Sequence, residues 1–524
     1  MKPYMVERLR IWLHELRIWL HELRIHHHEI HKTFLHESYK ATGIDYKVVL
    51  DKIGDRVKAG DLQVGLRALL YEGCCSKVMD SITSGAFLVA FALLLGASNT
   101  VVGLLAALSP LTQFLQIPAI YLVERTASRK ALVVLSTFLS RISWLAVAVI
   151  PWLVAPEQRI PALIICLFFY FSLGTISSCG FNPWLRDFVP EEIMGSFFGK
   201  RMAISTAAGA AMALLAGVGL EVGKWYVPSQ LVPYSLLFLT GGIFGLAAVY
   251  FLSQVPEARV AKHRPQDMSE ALGQPFRDLN FRRILIFLGI LFFAINLSGP
   301  FYAVYMLKQL NLSMALLIGL GVFSQLMGVM SFRIWGSTAD NFSNKSVLIV
   351  SGYMYIIGVL LWPVLLLSES NFFVIPLLVV VHALTGISAA GVNLCTANLA
   401  LKAAPRGKAT AFLATNTIVD GAAAAVSPII GGIIANKLTG PELLIMRNWL
   451  STEIGSFLAF PISSLLGLHS LFFLTAIIGL YAIHRLRAVH EKGEVEGHVI
   501  VAHLWTEARK AARHIFSAAR LRRL

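Results

Sequence analysis

The sequence predicts an all-α polytopic membrane protein built from two similar halves of six helices. Three observations lead there: a composition short of charge, twelve apolar stretches of spanning length, and a partial recurrence of the first six stretches in the second six. Of 524 residues, 56% are hydrophobic and 14% are Asp, Glu, Lys or Arg, with a mean hydropathy of +0.67. A soluble chain carries roughly 25% charged residues, so too little polar surface is present for a water-soluble fold, and a disordered or collagen-like chain is excluded as well. The long apolar runs favour helices over a barrel, whose strands are about 10 residues long and alternate in polarity.

Spanning the hydrocarbon as a helix takes about 20 apolar residues. Stretches that satisfy this are 79–99, 101–123, 131–153, 161–181, 202–222, 233–254, 284–306, 314–334, 347–367, 373–396, 409–434 and 463–484. They divide the chain into an amino-terminal extension (1–75), a six-helix bundle (76–254), a linker (255–283), a second six-helix bundle (284–484) and a carboxyl-terminal tail (485–524). The linker carries Pro256, Pro265 and Pro275 among mixed charges.

Charge sets the expected orientation. Arg, His and Glu interrupt the amino terminus every few residues, unlike the uninterrupted apolar core of a secretory signal. With that terminus inside, the inner loops carry most of the basic residues, among them Arg125, Arg129, Lys130, Arg186, Lys200, Arg201, Arg282, Arg283, Lys345, Lys402 and Lys408. The outer loops carry Arg159, Lys224, Lys308, Lys437 and Arg447. This asymmetry predicts two cytoplasmic termini; the expected location is the inner, plasma-type membrane of a bacterium. The net charge of +15 suits anionic lipid on that side and, without a basic soluble domain, gives no sign of a nucleic-acid partner.

Both tails are amphipathic. Leu9-Arg-Ile-Trp-Leu-His-Glu15 repeats over 9–29, placing Leu9, Leu13, Leu16, Leu20 and Leu23 on one helix face. Residues 498–524 set Trp505, Ile515 and Phe516 against Arg509, Lys510, Arg513 and Arg520. Each suits docking on a membrane surface, and the first also suits a partner helix.

The halves resemble each other. Thr175-Ile-Ser-Ser-Cys-Gly-Phe-Asn182 matches Gly386-Ile-Ser-Ala-Ala-Gly-Val-Asn393, Ser84-Gly-Ala-Phe87 matches Ser298-Gly-Pro-Phe301, and Pro190 matches Pro405, all about 215 residues apart. The loop after the second span, Leu122-Val-Glu124-Arg125-Thr-Ala-Ser-Arg129-Lys130, has a counterpart after the eighth, Gly336-Ser-Thr-Ala-Asp340-Asn-Phe-Ser-Asn-Lys345. This loop resembles the signature of the major facilitator superfamily: a glycine, an acid at the fifth position, then bases. The second copy keeps Gly336, Asp340 and Lys345; the first has Ile120 for the glycine, Glu124 for the acid, and Arg125 and Arg129. The resemblance extends over about 76–484 and to a bacterial-type transporter of twelve helices. It implies a secondary transporter of a small solute by alternating access, in which Glu124, Arg125, Arg129, Gly336, Asp340 and Lys345 form a cytoplasmic gate. Antiporters of that family carry a Gly-Pro-x-x-Gly-Gly run in span five. Here Ser427-Pro428-Ile-Ile-Gly431-Gly432 stands in span eleven instead, so antiport is not inferred.

Charges inside apolar spans are costly, about 2.5–3.5 kcal/mol each on insertion scales, so they mark candidate sites. Asp420 in span eleven suits proton uptake or a cationic substrate, or else a packing hydrogen bond. Arg141 in span three suits a structural ion pair, and Asp80 lies near the end of span one. Polar side chains able to line a cavity are Gln113, Gln116, Asn296, Asn393 and Asn416. His382 reads either as a proton carrier or as a hydrogen-bonded structural side chain.

Enzymatic constellations do not emerge. Gly195-Ser-Phe-Phe-Gly-Lys-Arg201 lacks P-loop spacing, and there is no His-Glu-x-x-His helix or Gly-x-Ser-x-Gly elbow. His14, His21 and His28 recur every seven residues but lack a cysteine or carboxylate set to complete a metal site. Cys74, Cys75, Cys166, Cys179 and Cys395 read as thiols, and neither a cofactor nor a metal is expected. The second functional reading is a transporter-like scaffold that recruits partners through its cytoplasmic tails.

Overall fold

A computed structural model of the chain describes residues 59–125, 128–257, 268–365, 371–405, 409–438, 468–491 and 495. The described residues form helices and the turns joining them. The first half runs α1 (Ala59–Thr83), α2 (Gly85–Leu94), α3 (Asn99–Thr112), α4 (Gln116–Arg125), α5 (Arg129–Leu153), α6 (Arg159–Phe188), α7 (Glu191–Tyr226) and α8 (Leu231–Ser253). A short linker helix, α9 (Met268–Arg277), leads to α10 (Leu279–Lys308), α11 (Met314–Asn341), α12 (Asn344–Val364), α13 (Asn371–Ala403), α14 (Ala409–Leu438) and α15 (Leu468–Leu486).

Eleven stretches of described helix are long and apolar enough to cross a membrane, counting Asp61–Leu94 as one. The twelfth expected span is present but broken. Pro110 and Pro118 flank a 3-10 turn, Gln113–Leu115, and the apolar part Asn99–Leu115 is too short by itself. Proline removes a backbone donor and crowds the preceding turn, which is why span two is α3 and α4 rather than one rod. Span one breaks at Gly85, whose φ of +59° is open to glycine at little cost.

The expected start of span one, near Met79, is too late. Its helix begins at Ala59, and residues 59–75 belong to the bundle. Leu62, Leu66 and Leu69 are buried with Trp184, Leu185, Phe188 and Val255 in a small core at the linker end of the first half. The amphipathic pattern expected of 1–58 lies outside the described residues, as does the basic stretch 498–524.

Within each half the helices pack through aromatic layers. Trp144 of α5 stacks on Phe238 of α8 with centroids 5.5 Å apart, and Tyr302 of α10 stacks on Trp362 of α12 at 4.7 Å. The repeat-related Phe87 and Phe301 are both buried, so that sequence match marks an equivalent packing position.

The halves meet where α3 packs on α14, α7 on α11, and α2 on α10. Backbones come close at Gly103, where an added Cβ would stand 2.1 Å from the carbonyl oxygen of Pro428, and at Gly432, where it would stand 2.6 Å from that of Asn99. Thr100 Oγ1 donates to the Gly432 carbonyl at 3.4 Å. The misplaced glycine–proline run of α14 thus serves as an interface between halves, its small residues permitting close helix approach. Gly217 packs on Ala315 and Ile318 in the same region. These contacts lie in the parts of the helices away from the linker.

Candidate functional site

Two polar pairs stand on the facing elements α3–α4 and α14, Gln113 with Gln116 and Asn416 with Asp420. Gly421 of α14 lies against α3, a Cβ there meeting the Pro110 carbonyl oxygen at 3.9 Å and Gln113 Cβ at 4.0 Å. The helix break at 113–115 brings Gln113 and Gln116 together, Gln116 Nε2 donating to Gln113 Oε1. Behind them stands α6: Thr175 Oγ1 donates to Thr112 Oγ1 at 3.5 Å, and the Cys179 thiol reaches the Gln116 carbonyl at 3.9 Å.

On α14, Asn416 Nδ2 donates to Asp420 Oδ2 at 2.9 Å, one helical turn away. The other carboxylate oxygen, Asp420 Oδ1, is buried without a hydrogen-bond partner among the described residues, as is Asn416 Oδ1. Buried polar atoms are nearly always satisfied; Asp420 Oδ1 shares this unpartnered state with other side chains of the described residues, among them Arg141 Nε, Trp144 Nε1 and Ser427 Oγ, and is the carboxylate oxygen of that set. Helix geometry gives its direction. Gly421, Pro428 and Gly432 face α3, Gly431 faces Leu297 of α10, and the exposed apolar side chains of Val426, Ile430 and Ile433 mark the outer side. At about 100° per residue Asp420 falls beside Gly431 and Val419, on the side of α14 turned to Leu297 and Gly289 of α10, and about a quarter turn from the face that meets α3.

Other sequence candidates lie elsewhere. Arg141 Nη1 donates to Tyr170 Oη at 3.0 Å, and its guanidinium carbon stands 5.6 Å from that ring. Its stem packs on Gly245 of α8. Arg141 therefore braces α5, α6 and α8 inside the first half, held by a phenol instead of the expected carboxylate. Asp80 pairs with Lys77 one turn back on α1 at 3.1 Å, both side chains about half exposed. Asn296 donates to its own helix at the Phe292 carbonyl, 2.8 Å. Asn393 is exposed on α13. His382 Nδ1 bonds the Leu378 carbonyl at 2.8 Å.

The gate residues show one clear arrangement. Lys345 is buried and donates through Nζ to the Val489 and Arg487 carbonyls beyond α15, at 2.8 and 3.2 Å. Glu491 caps the start of α12, accepting from Lys345 N and Asn344 Nδ2 at 2.7 Å each. Glu257, just past α8, does the same for α5, accepting from Ser128 Oγ at 2.7 Å and Lys130 N at 3.1 Å. Each half thus closes a carboxylate from beyond its sixth span onto the amino end of its third, where the helix dipole favours negative charge. Asp340 is exposed at the end of α11 and forms no ion pair among the described residues; Gly336 faces Leu394 of α13. Glu124 and Arg125 end α4, and their side chains lie outside the described residues. Arg129 opens α5.

One polar contact was not read from the sequence. Glu72 of α1 pairs with Arg201 of α7 and accepts from Ser76 Oγ at 2.8 Å, while Arg201 Nε donates to the Leu69 carbonyl at 2.9 Å. The guanidinium lies over Gly73, where a Cβ would come within 2.7 Å of Nε. A glycine one residue from an in-helix acid was the available signal.

Comparison with known proteins now decides the family. The model of the Major Facilitator Superfamily matches residues 73–428. The chain belongs to that superfamily. Solved structures similar to it include the nucleoside transporter NupG (TM-score 0.59, 14% identity, covering 82% of this chain and 98% of that one). They also include a D-xylose–proton symporter (0.58, 14%, 82% and 98%) and a bacterial homologue of the human lysosomal transporter Spinster, inward-facing and unoccupied (0.59, 14%, 83% and 98%). A search of curated proteins finds no match. This member of the superfamily is a membrane transporter, not an enzyme.

Proposed function

We propose that this transporter moves a small polar solute by alternating access, with Asp420 as the central coupling or substrate-contacting group. The observation that carries the reading is Asp420 Oδ1, buried without a partner among the described residues on the helix that packs against α3 of the other half, next to Gly421, which lies against Gln113. A group that exchanges partners during transport needs a free acceptor where both halves converge. Asn416, Gln113 and Gln116 orient a hydrogen-bonding solute around it. The contacts of α3 with α14 and α7 with α11 close the end away from the linker, and with the orientation expected from charge this is an inward-facing arrangement of a protein with cytoplasmic termini in a bacterial inner membrane. The nucleoside and xylose cargo of structural neighbours support a small polar solute, and the xylose–proton symporter supports proton coupling. The basic tail then rests on anionic lipid.

The test uses liposomes containing the full chain and a trapped pH indicator. Solutes that raise the melting temperature of the purified protein are applied across a pH gradient. Asp420→Asn should abolish pH-driven uptake in protein that still elutes as one species, and Asp420→Glu should retain part of it. Uptake and pH dependence equal to wild type in Asp420→Asn would reduce Asp420 to a packing residue. The scaffold reading rests on tails outside the described residues.

A further inference from the structure

A cavity lies at the end of the bundle away from the linker, between the halves and apart from Asp420. It is a half-open cleft with a volume of about 360 Å³, within the range of about 300–1,000 Å³ typical of small-ligand sites. Helices α2, α7 and α8 of the first half and α10 and α11 of the second line it. Most of its wall is apolar, including Leu93, Leu220 and Leu312, and its charged lining residues are Lys224 and Lys308.

The two lysines come from opposite halves. Lys224 is in the last turn of α7 and pairs with Glu221 at 3.0 Å, both side chains well exposed. Lys308 is in the last turn of α10 and forms no ion pair among the described residues. A cation at a helix carboxyl end is favoured by the helix dipole, which explains each lysine singly. It does not explain why closing this end brings both to one largely apolar space whose lining includes no carboxylate. Past Lys308 the chain turns through Asn311 in a left-handed conformation (φ +48°), so that Asn311 joins Gln230 as an uncharged polar lining residue.

We infer that this cavity binds an amphipathic anion, its carboxylate or phosphate held between Lys224 and Lys308 and its apolar part against the leucines. A ligand so placed ties the two halves together at this end and favours the arrangement seen here. The anionic group comes either from a free fatty-acid-like carboxylate or from a lipid headgroup.

Thermal unfolding of the full-length protein tests this in an uncharged detergent with octanoate or inorganic phosphate, and in phosphatidylcholine nanodiscs with or without phosphatidylglycerol. Stabilisation by octanoate identifies a free carboxylate as the source, and stabilisation by phosphatidylglycerol alone identifies a headgroup. Removing one charge-assisted contact should weaken binding about 10- to 100-fold in Lys308→Gln, with Lys308→Arg close to wild type and both variants eluting as wild type does. The inference fails if no anion stabilises the protein. It fails equally if the shift persists in the Lys224→Gln/Lys308→Gln double variant, or if phosphate without an apolar part binds as well as octanoate.

Discussion

Gly103→Ala places one methyl group where two backbones touch. The new Cβ would stand 2.1 Å from the Pro428 carbonyl oxygen and 2.9 Å from its carbon, against an ordinary contact of 3.4 Å or more. Neither atom belongs to a side chain that can rotate away, so α3 and α14 must separate by more than 1 Å. Overpacking of this kind costs about 1–3 kcal/mol. Under the alternating access proposed above, that cost falls only on the arrangement closed at this end, because a conformation with the halves apart here makes no such contact. The population ratio therefore moves about 5- to 150-fold toward opening away from the linker. Two reporter cysteines, in a chain with its five native cysteines replaced, read this out. Thr417→Cys, exposed one turn to the linker side of Asp420, should react more slowly with an impermeant maleimide in Gly103→Ala. Leu94→Cys, in the cavity wall at the other end, should react faster. Unchanged rates at both positions in protein of unchanged melting temperature would show that this contact plays no part in closure.

Gly432→Ala, with its Cβ 2.6 Å from the Asn99 carbonyl oxygen, should act in the same direction and more weakly, by the same labelling. Glu72→Gln should lower the melting temperature, since breaking a buried pair costs about 3–5 kcal/mol when burial is complete; with side chains 10% and 18% exposed, the effect belongs at or below the lower end, and Glu72→Gln with Arg201→Met should recover part of it in a double-mutant cycle. Arg141→Met should reduce thermal stability and leave solute affinity unchanged in a binding titration, because the guanidinium faces Tyr170 and not the interface. Glu257→Ala and Glu491→Ala should each cost about 1 kcal/mol through loss of a helix cap, measured as faster amide exchange at the first turns of α5 and α12.

The helical class, the series of spans and the duplication were legible because they rest on local composition and on spacing along the chain. Span one shows where that reading stops. Residues 59–75 contain Asp61, Arg67 and Glu72, which a hydropathy argument counts as water-facing. Glu72 is buried all the same, because Arg201 reaches it from 129 residues away. Hydropathy measures the cost of a charge in lipid and is blind to a partner supplied by another helix. Span two is the converse case: Pro110 and Pro118 are visible in the sequence, but the 3-10 turn between them, and the pairing of Gln113 with Gln116 that it creates, depend on α14 and α6 closing around the break.

For the site, the sequence supplied candidate residues and no means of ranking them. Arg141 and Asp420 read alike as charges inside apolar spans, and the difference between them lies wholly in their neighbours. Arg141 has a phenol to donate to and a ring to lie against across the helices of its half, while the one hydrogen bond of Asp420 is to an amide on its own helix; each keeps one buried atom, Arg141 Nε and Asp420 Oδ1, with no hydrogen-bond partner among the described residues. A charge whose contacts stay inside one half moves with that half as a rigid body and has no reason to change state during rocking. A charge at the contact between halves loses or gains neighbours each time the halves separate. By that criterion Glu257, Glu491 and Lys345, each bound within its own half, stay fixed in their bundles, and the role proposed for Asp420, whose one hydrogen bond is also within its half, requires that its free oxygen change surroundings as α14 moves against α3.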